Sequence, residues 1–340
     1  MRVLVTGATG FIGKHAVRAL AAAGHDVVAL VRATSDRAGL GEVEFAAGDL
    51  SDTASLRSAC RSADVVVHAA AVVRGHGRWA DFQAGVDGTS NLLAAMLDAK
   101  VTRLVHLSSI GVYGLAARAE PVRESLPLCD RPERWNHYVR QKVLSERAVW
   151  KAHEAGHLEP VVLRAAATLG PGDRASLPAI FEALRSGKMA ILGRGSNRVP
   201  FVVVDDLVQA ITRAAAGRAA IGHAFNLSGA EPITQAEFLG ACAEALGIEP
   251  PARRVPVAFA KAAAAAAELL HGLARRSGPP PMTRLGVAVA TCDLDVDCTA
   301  ARRDLGWVGG GSYTDAIRRE ADWLRVAAAA CPPAPGQAAS

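Results

Sequence analysis

From residue 1 to about residue 165, short apolar runs alternate with longer stretches whose apolar residues recur every three or four positions. The runs Arg2–Thr6, Val27–Val31, Val43–Ala46, Asp64–His68, Arg103–Ser108 and Val161–Arg164 are almost unbroken in apolar character. Strands covered on both faces need that pattern. The stretches Ile12–Ala23, Asp87–Asp98 and Asn136–Ala155 have helical spacing instead. Strand and helix in alternation predict a parallel sheet with right-handed crossovers.

Beyond residue 170 the rhythm breaks. Pro171–Gly172 and Pro178 punctuate a mixed region, with further strands expected at Val199–Val204 and Ala224–Leu227. Asp205 or Asp206 is expected to cap a helix that starts at Leu207. The alanine-rich stretch Ala258–Ala267, interrupted by Lys261 and followed by Glu268, is too short to span a bilayer. It predicts a helix ending near Arg275–Arg276, packed on its own domain or touching a membrane surface, without stable insertion. Residues 327–340, rich in Ala and Pro, predict a frayed tail. The expected fold is α/β: a Rossmann-type doubly wound parallel sheet over residues 1–170, to which segments around 199–227 return. A smaller C-terminal α/β substrate domain over 171–326 follows it.

Composition narrows the classes. Half of the 340 residues are hydrophobic and 21% are charged, so the chain is globular. A net charge of +5, without long basic runs interleaved with aromatics, argues against nucleic acid. Cys60, Cys129, Cys242, Cys292, Cys298 and Cys331 form no CxxC pair, so no metal site is expected. The first strand leaves no room for a secretory signal ahead of it, and the cytoplasm is the expected compartment.

The first strand runs straight into Gly7-Ala-Thr9-Gly10-Phe11-Ile12-Gly13 and a helix. Glycines there allow a tight turn and close approach of a pyrophosphate, and the helix N-terminus offers unpaired amides to the phosphates. The acidic residue that would bind an NAD ribose at the end of the second strand is replaced by Arg32, followed by Ser35 and Asp36. A cation there pairs with the 2′-phosphate of NADP(H), which is therefore the preferred cofactor, with NAD(H) the alternative.

Together with Gly48-Asp49-Leu50, His68-Ala69-Ala70-Ala71 and Ser109-Ile-Gly-Val-Tyr-Gly114, the glycine loop resembles the extended short-chain dehydrogenase/reductase superfamily. The resemblance runs to about residue 325. It implies that Asp49 and Leu50 meet the adenine side and that Ala69–Ala71 line the cofactor. In Tyr138-Val-Arg-Gln-Lys142 the tyrosine and lysine share a helix face. A tyrosine hydroxyl near pKa 10 moves protons poorly at neutrality, and a neighbouring ammonium favours its phenolate. Tyr138 is then the general acid–base, Lys142 tunes it and holds the nicotinamide ribose, and Ser109 hydrogen-bonds the substrate oxygen. Two positions depart from the family pattern: Gly85 stands for a helix asparagine, and Ala165 for the proline after Arg164.

Ile110 and Gly111 replace the Asp-Glu pair of the dehydratases and cannot transfer protons. Leu169-Gly-Pro-Gly-Asp-Arg174, Gly193-Arg-Gly-Ser-Asn197, Pro200-Phe-Val-Val-Val-Asp-Asp206 and Met282-Thr-Arg284 are similar to the 3β-hydroxysteroid (sterol-4-carboxylate) dehydrogenase and 3-keto acid reductase branch. That implies a bulky apolar secondary alcohol or ketone as substrate. Arg174, Arg194 and Arg198 are candidate partners for an anionic group on it. A nucleotide-sugar epimerase and a non-catalytic dinucleotide-sensing regulator are the alternatives. Family resemblance also implies a homodimer through Asp87–Asp98 and Asn136–Ala155, with Leu92, Leu93 and Met96 either on the pairing stripe or packed on the sheet.

Overall fold

The structure, a computed structural model, describes residues 1–174, 176–274 and 278–330. Its strands in chain order are β1 (Arg2–Thr6), β2 (Asp26–Val31), β3 (Glu44–Ala47), β4 (Val65–His68), β5 (Arg103–Ser109), β6 (Glu159–Ala165), β7 (Ala167–Leu169), β8 (Ile191–Leu192), β9 (Arg198–Val199), β10 (Phe201–Val203), β11 (His223–Leu227), β12 (Ile233–Thr234) and β13 (Arg254–Val255). The helices are α1 (Phe11–Ala22), α2 (Thr53–Cys60), α3 (Trp79–Asp98), α4 (His137–Glu154), α5 (Leu177–Arg185), α6 (Val204–Ala216), α7 (Gln235–Leu246), α8 (Val257–Leu273), α9 (Arg284–Thr291), α10 (Thr299–Asp304) and α11 (Tyr313–Ala330).

Seven strands form one parallel sheet in the order β11-β6-β5-β4-β1-β2-β3. The order reverses between β1 and β4, so the crevice beyond their C-terminal ends is where a doubly wound sheet takes its ligand. Alternation along β1 explains the two-sided core. Val3 and Val5 join the cluster with Ala16, Val17 and Leu20 of α1 and Leu207 and Ile211 of α6. Leu4 points the other way, into Leu56 of α2 and Leu92, Ala95 and Met96 of α3. Leu92 and Met96 are thus buried in the chain's own core, with Leu93 packed against it, and they are not on a pairing stripe.

Several sequence expectations need correction. Helix α3 starts at Trp79, eight residues before Asp87, because Asp81 returns to the Arg78 backbone and closes its first turn. The strand expected at Val199–Val204 is split by Pro200, which has no N–H to donate: β9 pairs with β12, and β10 with β7. Helix α6 begins at Val204 and has no side-chain cap. Asp205 and Asp206 lie in its first turn, where they favour the positive end of the helix dipole, and Asp206 accepts from the Gly310 and Gly311 amides. Helix α11 runs to Ala330, into the segment expected as a tail, and residues 331–340 lie outside the described residues. So do Arg275 and Arg276, where α8 was expected to end; its last helical residue is Leu273.

Segments on both sides of β11 build a third cluster, in which Leu177 and Phe181 of α5 meet Phe238 and Leu239 of α7 and Ile317 of α11. Helices α8 and α9 pack through Ala260, Ala264 and Val287. Among the described residues, no helix is long and apolar enough to cross a membrane.

Candidate active site

The loop after β1 is held open by its glycines. Gly7 has φ +70°, and a Cβ there would lie 2.6 Å from the Ala70 backbone nitrogen, so the loop after β4 rests directly on the first turn. A Cβ at Gly13 would reach 2.0 Å from the Gly7 carbonyl oxygen, which fixes how closely α1 packs on β1. Gly10 is the N-cap of α1; it offers no side-chain cap, and the first turn carries no acid. The amides of Phe11, Ile12 and Gly13 therefore stay available at the positive helix end, with Thr9 half-buried beside them. This cradle fits a dinucleotide pyrophosphate.

Arg32 follows β2 and is exposed, its N–H donating to Ser35 Oγ at 3.1 Å. Asp49 accepts from the Ser51 N–H and hydroxyl at 2.8 and 2.7 Å. These bonds, assisted by the nearby Arg32 charge, hold its carboxyl below the usual range. Asp36 does not face the ribose region unpaired: it caps Ala38 and pairs with Lys14 at 3.3 Å and Arg174 at 3.9 Å. Leu50 lies against Gly88 of α3, and its carbonyl accepts from Asn91. Ala69 donates to the Thr6 carbonyl, so Ala69, Ala70 and Ala71 continue β4 along the edge of the glycine loop.

At the end of β5, Ser109 caps the 3₁₀ turn Ile110–Tyr113, accepting from the Gly111 N–H at 3.1 Å. Asn136 caps α4 through the Val139 amide and sets Tyr138 in its first turn. Burial pushes the Tyr138 hydroxyl above its ordinary pKa, and a hydrogen bond with Ser109 opposes that shift. Lys142, one turn on, is buried and donates from Nζ to the Leu107 carbonyl at 2.8 Å. Burial draws its pKa down to about 8 against the opposing charge of Glu146. The three residues named from the sequence thus come together at the C-terminal edge of the sheet, with Ser109 on Tyr138 and Lys142 tied to the β5 backbone.

Sequence reasoning missed the support beneath them. Glu146, a further turn along the face of Tyr138 and Lys142, forms a buried 2.6 Å ion pair with Arg164 of β6 and accepts from Ser108. Arg164 reaches on to the Tyr113 hydroxyl, which donates to Asn226 of β11. The four-residue spacing 138–142–146 was the available signal. Gln141 was missed as well; it bonds the Val72 backbone. Of the candidate anion partners, Arg198 is committed to Asp293 at 3.0 Å and Asp295 at 3.3 Å, and Arg174 stands near Asp36. Arg194 offers its backbone carbonyl to Arg254. Arg284 lies over the Trp135 ring at 5.2 Å and pairs with Glu268.

Residues 3–228 match the model of the NAD dependent epimerase/dehydratase family. The 2-alkyl-3-oxoalkanoate reductase of Stenotrophomonas maltophilia is 30% identical over 94% of this chain and 98% of its own. The 3 beta-hydroxysteroid dehydrogenase/Delta 5-->4-isomerase of Mycobacterium tuberculosis is 31% identical over 90% of this chain and 85% of its own. Among solved structures, the NAD-bound dTDP-glucose 4,6-dehydratase of Streptomyces venezuelae superposes with a TM-score of 0.75. It is 27% identical over 96% of this chain and 97% of that one.

Proposed function

Because the chain belongs to the NAD-dependent epimerase/dehydratase family, we propose that it is an NADP(H)-dependent reductase or dehydrogenase of a bulky apolar substrate, interconverting a ketone and a secondary alcohol. The chain is an oxidoreductase of hydroxyl or keto groups, the chemistry its relatives' names carry. The observation that supports Ser-Tyr-Lys catalysis is the meeting of Ser109, at the end of β5, with Tyr138 and Lys142 on the first turns of α4, beside the cradle of Gly7, Gly10 and Gly13.

A bound nicotinamide supplies or accepts the hydride. In reduction, Tyr138 gives its hydroxyl proton to the carbonyl oxygen as that oxygen becomes an alkoxide. Ser109 donates a hydrogen bond to the same oxygen, where negative charge develops. Lys142, held by the Leu107 carbonyl, keeps a positive charge near Tyr138 and within reach of the nicotinamide ribose. NADP(H) preference is read from Arg32, with Asp36 neutralised by Lys14 and Arg174. The 3-oxoalkanoates and 3β-hydroxysteroids of the relatives' names mark the substrate class, a long alkyl or fused-ring skeleton. We also propose a cytoplasmic homodimer through the outward faces of α3 and α4, where Leu97 is 48% exposed.

The test is a panel of sterols, long-chain 3-hydroxy acids and sugar nucleotides, read by NADPH and NADH absorbance. Turnover of one of the first two classes, with NADP(H) binding at least about ten-fold tighter than NAD(H), is expected; one charge-assisted phosphate contact accounts for that ratio. Conversion of sugar nucleotides alone, followed by chromatography of the products because epimerisation returns the hydride and leaves the absorbance unchanged, would make it an epimerase. Tight dinucleotide binding with no turnover across the panel would make it a sensor.

A further inference from the structure

Gly85 of α3 and Gln141 of α4 face each other across the helix pair. A Cβ on Gly85 would come within 2.3 Å of Gln141 Oε1, so the glutamine side chain occupies the room that any larger residue at 85 would need. Gln141 is only 1% exposed. Its amide meets one backbone unit with both ends: the Val72 N–H donates to Oε1 at 3.3 Å, and Nε2 donates to the Val72 carbonyl at 3.4 Å. Val72 directly follows Ala69–Ala71, and Ala70 is the backbone against which Gly7 rests. The next residue on α4 is Lys142, and Tyr138 lies one turn back.

One buried amide therefore links two parts of the site that no other contact described above joins directly: the loop at the dinucleotide cradle and the helix that carries Tyr138 and Lys142. A carboxamide offers, whatever the pH, a donor and an acceptor side by side in one plane to the N–H and C=O of one residue, and asparagine from α4 would be one methylene short. We propose that Gln141 is a positioning residue that fastens the Ala69–Val72 loop to the catalytic helix, through the gap that Gly85 leaves open. The inference rests on the dinucleotide reading of that loop. It also accounts for the family departure at residue 85. The side chain missing from α3 is replaced, in the same space, by one from α4.

The test uses the full-length enzyme and NADPH as the probe. Gln141→Met keeps the volume and removes both hydrogen bonds. It should bind NADPH about three- to thirty-fold more weakly, as the loss of two neutral hydrogen bonds allows. Amide exchange in the peptide containing Val72 should quicken, while the thermal midpoint stays near the wild-type value. Gln141→Asn, polar but too short, should show the same loss and serves if the methionine variant does not fold. Gly85→Ala displaces Gln141 and should weaken NADPH binding in the wild type, yet add little on top of Gln141→Met. Wild-type affinity and exchange in a folded Gln141→Met, or equal effects of Gly85→Ala in both backgrounds, would overturn the proposal. Failure of the wild type to bind either dinucleotide would instead remove the functional reading, and exchange at Val72 would still decide whether the fastening exists.

Discussion

Burial drives Tyr138 and Lys142 toward their neutral forms, so it moves their pKa values in opposite directions. Lys142, brought to about 8, is still mostly charged at neutral pH, whereas the raised Tyr138 is a poor base by itself. In the proposed mechanism, the positive charge that lowers Tyr138 is supplied by Lys142 and the oxidised nicotinamide together. Alcohol oxidation in the NADP⁺ complex should rise with pH through a pKa below 10, since the phenolate is the base; that limb should be absent in Tyr138→Phe. Turnover of this variant should fall about 10²–10⁴-fold with cofactor affinity kept. Lys142→Ala should lose as much turnover and also bind NADPH more weakly, and Ser109→Ala should be milder. Stopped-flow and steady-state kinetics decide it; wild-type turnover in Tyr138→Phe would refute the mechanism. The spacing of Tyr138 and Lys142 on one helix face is a local feature, whereas Ser109 was singled out by its strand end together with the family resemblance.

At the scale of elements, α4 is locked to the sheet by charge as well as by apolar packing. Glu146 is fully buried, and its oxygens serve Arg164, Ser108 and Trp150. Removing one partner of such a pair leaves the other charge buried and uncompensated. Glu146→Ala should cost about 3–5 kcal/mol in denaturant unfolding. Replacing both partners, as in Glu146→Leu with Arg164→Met, should recover much of that loss. A cost below about 1 kcal/mol for Glu146→Ala would show that water reaches Arg164 and that the pair is not structural. Glu146 could have been read from its helical spacing. Arg164, eighteen residues further on, could not, because only the pairing of β5 with β6 brings it there.

For the whole molecule, α11 returns from the far end of the chain to the loop that covers α1. Glu320 Oε2 accepts from the Gly172 amide at 2.8 Å, His15 meets the Pro171 carbonyl, and Gly172 lies over Phe11. Burial, with Asp173 nearby, raises the Glu320 pKa from 4.5 to about 7. A raised acid favours the fold while it is protonated. Its contribution is full below about pH 4.5 and is lost as the pH rises through about 7. Glu320→Gln should therefore match the wild type near pH 5 and be more stable at pH 8, by roughly 1–3 kcal/mol. Equal melting curves at pH 8 would refute this. The proposed homodimer has its own measure. Sedimentation should give the mass of two chains at micromolar concentration, and Leu97→Glu should give one; a one-chain mass for the wild type would remove it.

By itself the sequence determined the α/β class, the strands of the parallel sheet, the glycine turn and the Ser109–Tyr138–Lys142 set. The class, the strands, the turn and the Tyr138–Lys142 spacing depend on neighbours within a few residues: apolar runs, a left-handed turn, a shared helix face; the approach of Ser109 to them does not. The tertiary structure alone decided what those elements meet. It split the strand at Pro200, buried Leu92 and Met96 in the chain's own core, paired Asp36 with Lys14 and Arg174, and placed Gln141 in the gap at Gly85. Those outcomes depend on which distant segments pack together, and the local pattern of a chain carries no record of how its buried polar groups find their partners.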